Sequence, residues 1–289
     1  MTYALDLKPS KDNYWSTPLQ QGSAFAKRHN NWKPTMLNDT HEPYNEMQSA
    51  ISSYTTAQVA PSDGVGFSNA SLINMACRSD GRLLQPSAPA RAIDASFALA
   101  GGPVPSARHV HAVMATHSMI GSQKWSHVLT IGLNASFALK PSHLGDDFGF
   151  DGQGGFVAWT GYQPSGSVGK RPGNVTLLGP FSGTSPLVLP ACAYSDFGLH
   201  QIAPVQPNSK LVFLGELGKW VPTASARVVS VTDHAADGLS VSIVGVAAET
   251  VELAFAAAAT GPAVTVLCTF GASAEAVATF DGKVAKCSE

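Results

Sequence analysis

The sequence predicts an α+β protein: two strand-helix units at the amino end, then a longer region of antiparallel strands. Three observations carry this. Up to about Pro86 apolar residues recur at helical spacing, a short apolar piece ending in an acid leads each helical stretch, and from about Ala92 the apolar period falls to two. Strand, loop and helix in that order form the repeating unit of a parallel α/β fold. Two units cannot close a (β/α)8 barrel, so residues 1–86 amount at most to the tail of one.

The first leading piece is ALDL, followed by KPSKDNYW with Asp12 and Trp15. Behind Glu42 and Pro43, which suit a first helical turn, Tyr44, Met47, Ile51 and Tyr54 mark one amphipathic helix. The second piece is QVA, which breaks at Pro61, presents Ser62 and Asp63 and crosses two glycines. Ser68 is then the expected N-cap of a second helix of about ten residues. Leu72, Ile73, Ala76 and Cys77 give its apolar stripe, and Asp80-Gly81 ends it. A carboxylate where a strand's carboxyl end feeds a helix is where α/β barrels keep residues that touch substrate, which singles out Asp12 and Asp63.

The remaining elements read as strands. HAVMATHS, WSHVLTIGL, GFVAWTGY, NVTLLGPF, SPLVLPA, FGLHQIAPV and LVFLGEL are short and separated by Gly, Pro, Asn and Asp. LSVSIVGV alternates Leu239, Val241 and Ile243 with Ser240, Ser242 and Val244, TVELAF alternates Val251, Leu253 and Phe255 with smaller or polar neighbours, and VATF-DG-KVAKC is a hairpin with Asp281-Gly282 in its turn. The expected result is an antiparallel β-sandwich domain over residues 93–289. Cys268 and Cys287 sit close together on the hairpin pattern and are expected as spatial neighbours; a disulfide and a pair of buried thiols both fit.

Composition narrows the function classes. With 289 residues and 44% apolar content the chain can bury a large core, while 13% charged residues and a net charge of −2 leave no field to draw it to nucleic acid or to a membrane surface. No apolar run reaches the ~20 residues of a membrane span, and the first residues lack the pattern of a signal peptide, so a soluble chain is expected. Sequons at Asn38, Asn69, Asn134 and Asn174 are compatible with a secretory route. The four cysteines contain no C-x-x-C pair, GVGFSN lacks the third glycine of a dinucleotide fingerprint, GQGGF lacks the lysine of a phosphate loop, and no G-x-S-x-G occurs. No cofactor is expected.

The order LKPSKDNYW, helix, VAPSDGVGFSNASLINMACRSDGRLLQPSAPARAID, SPLVLPACAYSDFGLHQIAPV and LVFLGELGKWVP resembles the C-terminal third of raffinose-synthase-like glycoside hydrolases, which group with the family 36 type α-galactosidases. The resemblance implies that residues 1–92 are the last two strand-helix units of a (β/α)8 barrel, strands seven and eight with their helices, ahead of the C-terminal β-sandwich domain. It places an acid and an aromatic segment after strand seven, here Asp12 to Trp15, and a Ser-Asp after strand eight, here Ser62 and Asp63. Asp80, Gly81, Leu84, Pro89 and Arg91 match the segment that follows. Asp12, Trp15, Ser62 and Asp63 are thereby the candidate substrate-binding residues, for an α-galactoside. Retaining hydrolysis needs two carboxylates about 5 Å apart. In the family these lie on strands four and six, so the resemblance assigns no catalytic residue to this chain and implies inactivity on its own, with weak carbohydrate binding at most.

Each candidate has a plainer reading. Asp63 can accept from sugar hydroxyls or close an Asx-turn; Asp12 can do the former or pair with Lys8 or Lys11; Trp15 can stack on a sugar or pack in a core. His109, His111 and His117 share strand parity, a zinc-like pattern, but ~3.3 Å of rise per residue puts the third about 20 Å from the others on a straight strand. His127 and His200 are expected half-buried or at the surface. A carbohydrate-binding or structural β-sandwich module is the alternative, and a histidine-based metal-binding β protein a more distant one. With barrel neighbours missing, the stripes of Met47, Ile51, Leu72 and Ile73 would be uncovered and residues 1–90 loosely held, unless they pack on the β region.

Overall fold

A computed structural model of the chain describes residues 45–57, 59–61, 63, 66, 68–99, 112–133, 135–145, 155–162, 175–192, 196–257 and 261–289. Its first helix, α1, spans Asn45–Tyr54 and buries Met47, Ile51 and Tyr54, as their spacing predicts, together with Ala50; Tyr44 lies outside the described residues. The expected ten-residue helix from Ser68 is corrected: α2 covers only Ala70–Ile73, and its N-cap is Asn69, whose side chain accepts from the Leu72 amide. The helix stops because distant and local partners take the next backbone groups. The Met75 carbonyl accepts from the Trp220 amide, the Ala76 carbonyl from Leu84, and Cys77 bridges to Leu83, so residues 76–84 turn back as a small hairpin around Asp80-Gly81.

The strands are β1 (Arg91–Ala92), β2 (Ala112–Ile120), β3 (Gln123–Ile131), β4 (Phe137–Leu139), β5 (Phe156–Thr160), β6 (Thr176–Phe181), β7 (Leu187–Leu189), β8 (Phe197–Pro204), β9 (Leu211–Glu216), β10 (Val228–Asp233), β11 (Leu239–Val244), β12 (Thr250–Ala257), β13 (Val264–Thr269), β14 (Glu275–Phe280) and β15 (Ala285–Ser288). Two short helices complete the set, α3 (Asp94–Leu99) and α4 (Pro141–Leu144). Every strand pairing among the described residues is antiparallel. No parallel pair of a barrel occurs among them: Val59 and Ala60 lie outside any strand, and ALDL with its following loop lies outside the described residues.

The largest sheet has the order β1-β2-β3-β8-β5-β6. Its central strands β3 and β8 are covered on both faces, which is why nearly every residue in them is buried, polar ones included. One face meets α1, where Met47, Ile51 and Tyr54 join Leu72, Leu84, Leu129, Phe197, Leu199 and Trp220 in one cluster. The other meets Leu139, Leu144, Leu187 and Leu189. Met47, Ile51 and Leu72 are therefore buried rather than left uncovered, each burial contributing ~1.5–3 kcal/mol. A ten-residue helix is marginal alone in water, so this face is what holds α1.

The carboxyl-terminal region holds a sheet of order β10-β11-β14-β15 and one of order β13-β12-β9. Val241, Ile243, Ala278 and Phe280 from the first and Phe213, Leu253, Phe255 and Cys268 from the second form one apolar core. The Asp281 carboxylate accepts from the amides of Lys283 and Val284, fixing the predicted turn. Cys268 on β13 and Cys287 on β15 form a disulfide with Cα atoms 5.4 Å apart, joining an edge strand of one sheet to an edge strand of the other. The pair closes a separation of 19 residues. Replacing both cysteines by alanine is expected to lower unfolding free energy by roughly 3 kcal/mol in urea titrations; an unchanged midpoint would show that the two sheets do not depend on the staple.

Candidate functional site

The candidate site starts at a turn. Gly215 has φ of +122°, and a Cβ there would meet the Pro222 carbonyl oxygen at 2.7 Å, so only glycine lets the chain double back over residues 216–222. That turn carries Glu216, Lys219 and Trp220. Lys219 Nζ donates to the carbonyls of Asn74 at 2.6 Å and Cys77 at 2.7 Å, closing the open end of α2, and lies 3.8 Å from Glu216.

Beneath the turn sits a buried charge cluster. Arg227, with a fully buried side chain, donates from Nε to Glu216 at 2.7 Å, from Nη2 to Glu249 at 2.7 Å and from Nη1 to the Val244 carbonyl at 2.7 Å. Glu249 also accepts from the amides of Ser79 and Val246. Arg78 extends the cluster, donating to Asp80 and to the carbonyls of Ala226 and Gly245. Burial pushes the Glu216 carboxyl up, and Arg227 and Lys219 draw it back only in part. Burial would also raise Glu249, but Arg227 and the two amides outweigh it and hold Glu249 below its ordinary range.

Two concavities flank the 216–219 turn. A groove of about 850 Å³ runs past Ser71, Asn74, Ser79, Thr250, Glu252 and Leu267. That volume falls within the ~300–1,000 Å³ usual for small-molecule sites. A cavity of about 30 Å³, room for a water, adjoins Trp159, Tyr162 and Gln201, and Met75 and residues 216–219 line both spaces. The groove presents hydroxyls, an amide and the exposed Glu252 beside apolar Leu217 and Leu267, a mixed lining suited to a neutral polyol more than to an ion.

Behind the small cavity runs a hydrogen-bond chain. Ser118 Oγ is 2.8 Å from His127 Nε2, His127 Nδ1 meets Gln201 Oε1, Gln201 Nε2 donates to the Tyr54 hydroxyl at 3.2 Å, and that hydroxyl donates to the Trp220 carbonyl at 3.2 Å. Ser, His and a third side chain in line imitate a nucleophile, base and orienter. The likeness stops there: Ser118 has 0% exposure, and a neutral glutamine cannot stabilise an imidazolium as a carboxylate does. His127 and His200 are corrected from the half-buried or surface positions expected: both are buried on the central strands, and burial lowers each to about 4. Tyr162 reaches α1 through Glu46, and the raised pKa of its phenol follows from burial and that carboxylate.

Of the residues expected to bind substrate, Asp12, Trp15 and Ser62 lie outside the described residues, as do His109 and His111. Asp63 is partly buried on the stretch between α1 and α2 and is not among the residues that line either concavity. The described residues contain no group of three or more His, Cys, Asp or Glu placed to hold a metal ion, and no helix long and apolar enough to cross a membrane. Comparison with models of known protein families and with curated proteins finds no match.

Sequence reasoning missed Arg227, Glu216, Glu249 and the chain through His127. A signal for the last was present: His127 shares strand parity with Trp125 and Leu129, so it faces the same apolar layer. The charge cluster gives a direct test. Arg227→Met leaves two acids without their counter-ion and is expected to cost about 3–5 kcal/mol of stability at pH 7. The loss shrinks as pH falls, because protonated carboxyls cost less to bury, and Glu216→Gln with Glu249→Gln restores part of it. A loss below ~1 kcal/mol in urea titrations would mean the cluster is not what holds the turn.

Proposed function

We propose that the chain is the C-terminal, β-rich part of a glycoside hydrolase or galactosyltransferase acting on α-galactosides, and that by itself it binds saccharide without cleaving it. On this reading residues 1–92 belong to the end of a (β/α)8 barrel and residues 93–289 form a β-sandwich domain. The observation that carries it is where the resembling segments meet. The DGRLLQP hairpin (80–86) is distant in sequence from the run 185–222, which holds the SPLVLPA and FGLHQIAPV strands β7 and β8 and LVFLGELGKWVP with β9 and its turn. Leu84, Phe197, Leu199, Trp220 and Val221 pack in one cluster, and Trp220 bonds to the backbone of the α2 turn, while Leu187 and Leu189 of β7 pack in a separate cluster on the other face of the sheet. Contact between the hairpin and the 197–222 segment is what the resemblance expects.

The alternative, a carbohydrate-binding or structural β module, is favoured by a different observation: the groove beside Asn74 and Glu252 presents hydroxyls, an amide and a carboxylate beside apolar side chains. The enzyme-part reading places sugar on this chain weakly at most, a carbohydrate-binding module places it there and a purely structural module does not, and none of them expects turnover by it. Titration of the purified protein with raffinose, galactose and glucose, followed by amide NMR, separates them. The enzyme-part reading predicts that galactosides shift amides near Asp63 and that Asp63→Asn removes the shift. The module reading predicts shifts along Asn74, Thr250, Glu252 and Thr265, lost in Glu252→Ala. Hydrolysis of an aryl α-galactoside above background would contradict the absence of catalytic carboxylates from both.

A further inference from the structure

Of the sequons, those at Asn38, Asn134 and Asn174 have their acceptor asparagine outside the described residues. The remaining one, Asn69-Ala70-Ser71, is described in full and lies where the chain enters α2. Asn69 is half-buried, Ser68, Ala70 and Ser71 are exposed, and Leu72 is the one buried side chain of that helix. The sequon therefore stands on the outer side of its turn, with alanine rather than proline in the middle, as an acceptor sequence requires.

The two polar atoms of the Asn69 side chain have separate uses. Oδ1 accepts from the Leu72 amide at 3.3 Å and caps α2. Nδ2 is the atom that N-glycosylation substitutes. In that step Nδ2 bonds to the anomeric carbon of a lipid-pyrophosphate oligosaccharide. The bond from that carbon to the pyrophosphate oxygen breaks, its electron pair leaves with the lipid pyrophosphate, and one of the two amide hydrogens departs as a proton. The product is a secondary amide whose carbonyl oxygen still accepts, so the cap survives the modification.

An independent observation points to the same surroundings. Cys268 and Cys287 are bonded to each other across two sheets, and Cys268 has 0% exposure. Such bonds form and persist in oxidising compartments, and the secretory route that supplies them is also where sequons meet the oligosaccharide donor. We propose that Asn69 carries an N-linked glycan, added as the chain matures along an oxidising, secretory route. Ser71 lines the groove beside α2 and Asn69 does not, so the glycan is rooted at the edge of that groove rather than in it. This does not depend on the groove, or any other part of the chain, binding saccharide.

Peptide mapping by mass spectrometry of the full chain, taken from the cells that make it, tests this. The expected result is a glycan on the peptide that holds Asn69, and conversion of Asn69 to an aspartate bearing heavy oxygen when peptide-N-glycosidase removes the glycan in heavy-oxygen water. Alkylation in denaturant should mark Cys77 and Cys192 directly, and Cys268 and Cys287 only after reduction. Variants made in the same cells separate the acceptor from the cap. Asn69→Asp keeps a capping oxygen and loses the glycan, Ser71→Ala loses it as well, and Ser71→Thr retains it. A bare Asn69 in the wild type, a glycan at Asn69 that survives Ser71→Ala, or Cys268 and Cys287 recovered as thiols overturns the proposal. If Asn69→Asp fails to fold, the two exposed Ser71 variants decide: loss in Ser71→Ala with retention in Ser71→Thr supports the assignment, and the same outcome in both overturns it.

Discussion

Trp220 has 0% exposure, and every polar group it owns is spent on a different part of the chain. Its amide donates to the Met75 carbonyl at 2.9 Å, its indole Nε1 donates to Ser49 Oγ at 2.9 Å, and its carbonyl accepts from Tyr54. Its ring lies edge-on to Tyr162 and Phe197. A bulky side chain with a donor that must be satisfied has few places to go, and here the one solution ties α1, the 76–84 hairpin and the central sheet to a single point. The seating of α1 and of the turn after α2 follows from that placement.

The turn that delivers Trp220 is itself held by charge. Burying Arg227 with Glu216 and Glu249 stabilises little in net terms, since desolvation offsets much of the attraction. Its effect is on geometry. Two carboxylates, that of Glu249 itself fixed by two backbone amides, and the carbonyl of Val244 leave Arg227 one arrangement, and the guanidinium also lies 5.3 Å from the centre of the Phe270 ring. Glu216 at the end of β9 and Glu249 ahead of β12 are thus fixed relative to each other, with the groove between them and α2. The acids that line its floor are already engaged, so a ligand there would meet mainly Glu252 and the neutral side chains of the rim.

Patterns made by residues close together in the chain are legible from their order alone. The α1 face follows from the spacing of Met47, Ile51 and Tyr54, and β11 and the β14-β15 hairpin from strict alternation and an Asp-Gly turn. What stays hidden in the sequence depends on partners far along the chain. Beyond Ile73 the amides of Met75 and Ala76 bond three residues back, and Lys219 and the Trp220 amide take the carbonyls of Asn74, Cys77 and Met75, partners that no local propensity reports. His127, His200 and Gln201 lie in apolar strands where a polar residue reads as facing water, unless both faces of the sheet are known to be covered. The groove draws on segments near residues 71–79, 216–219, 249–252 and 262–267, so no motif marks it. Asp63 is legible as an acid ahead of a helix, yet the two concavities form elsewhere.

The central claim is that Trp220 holds the helical segments on the β frame. Trp220→Leu keeps an apolar side chain but removes the indole donor and the ring contacts with Tyr162 and Phe197. Native-state hydrogen exchange of this variant against the wild type at pH 7 is the direct measurement. The expected result is that α1 and residues 76–84 lose protection together while β11 and β12 keep theirs. Unchanged protection of α1, or a uniform loss across all four regions, would contradict it.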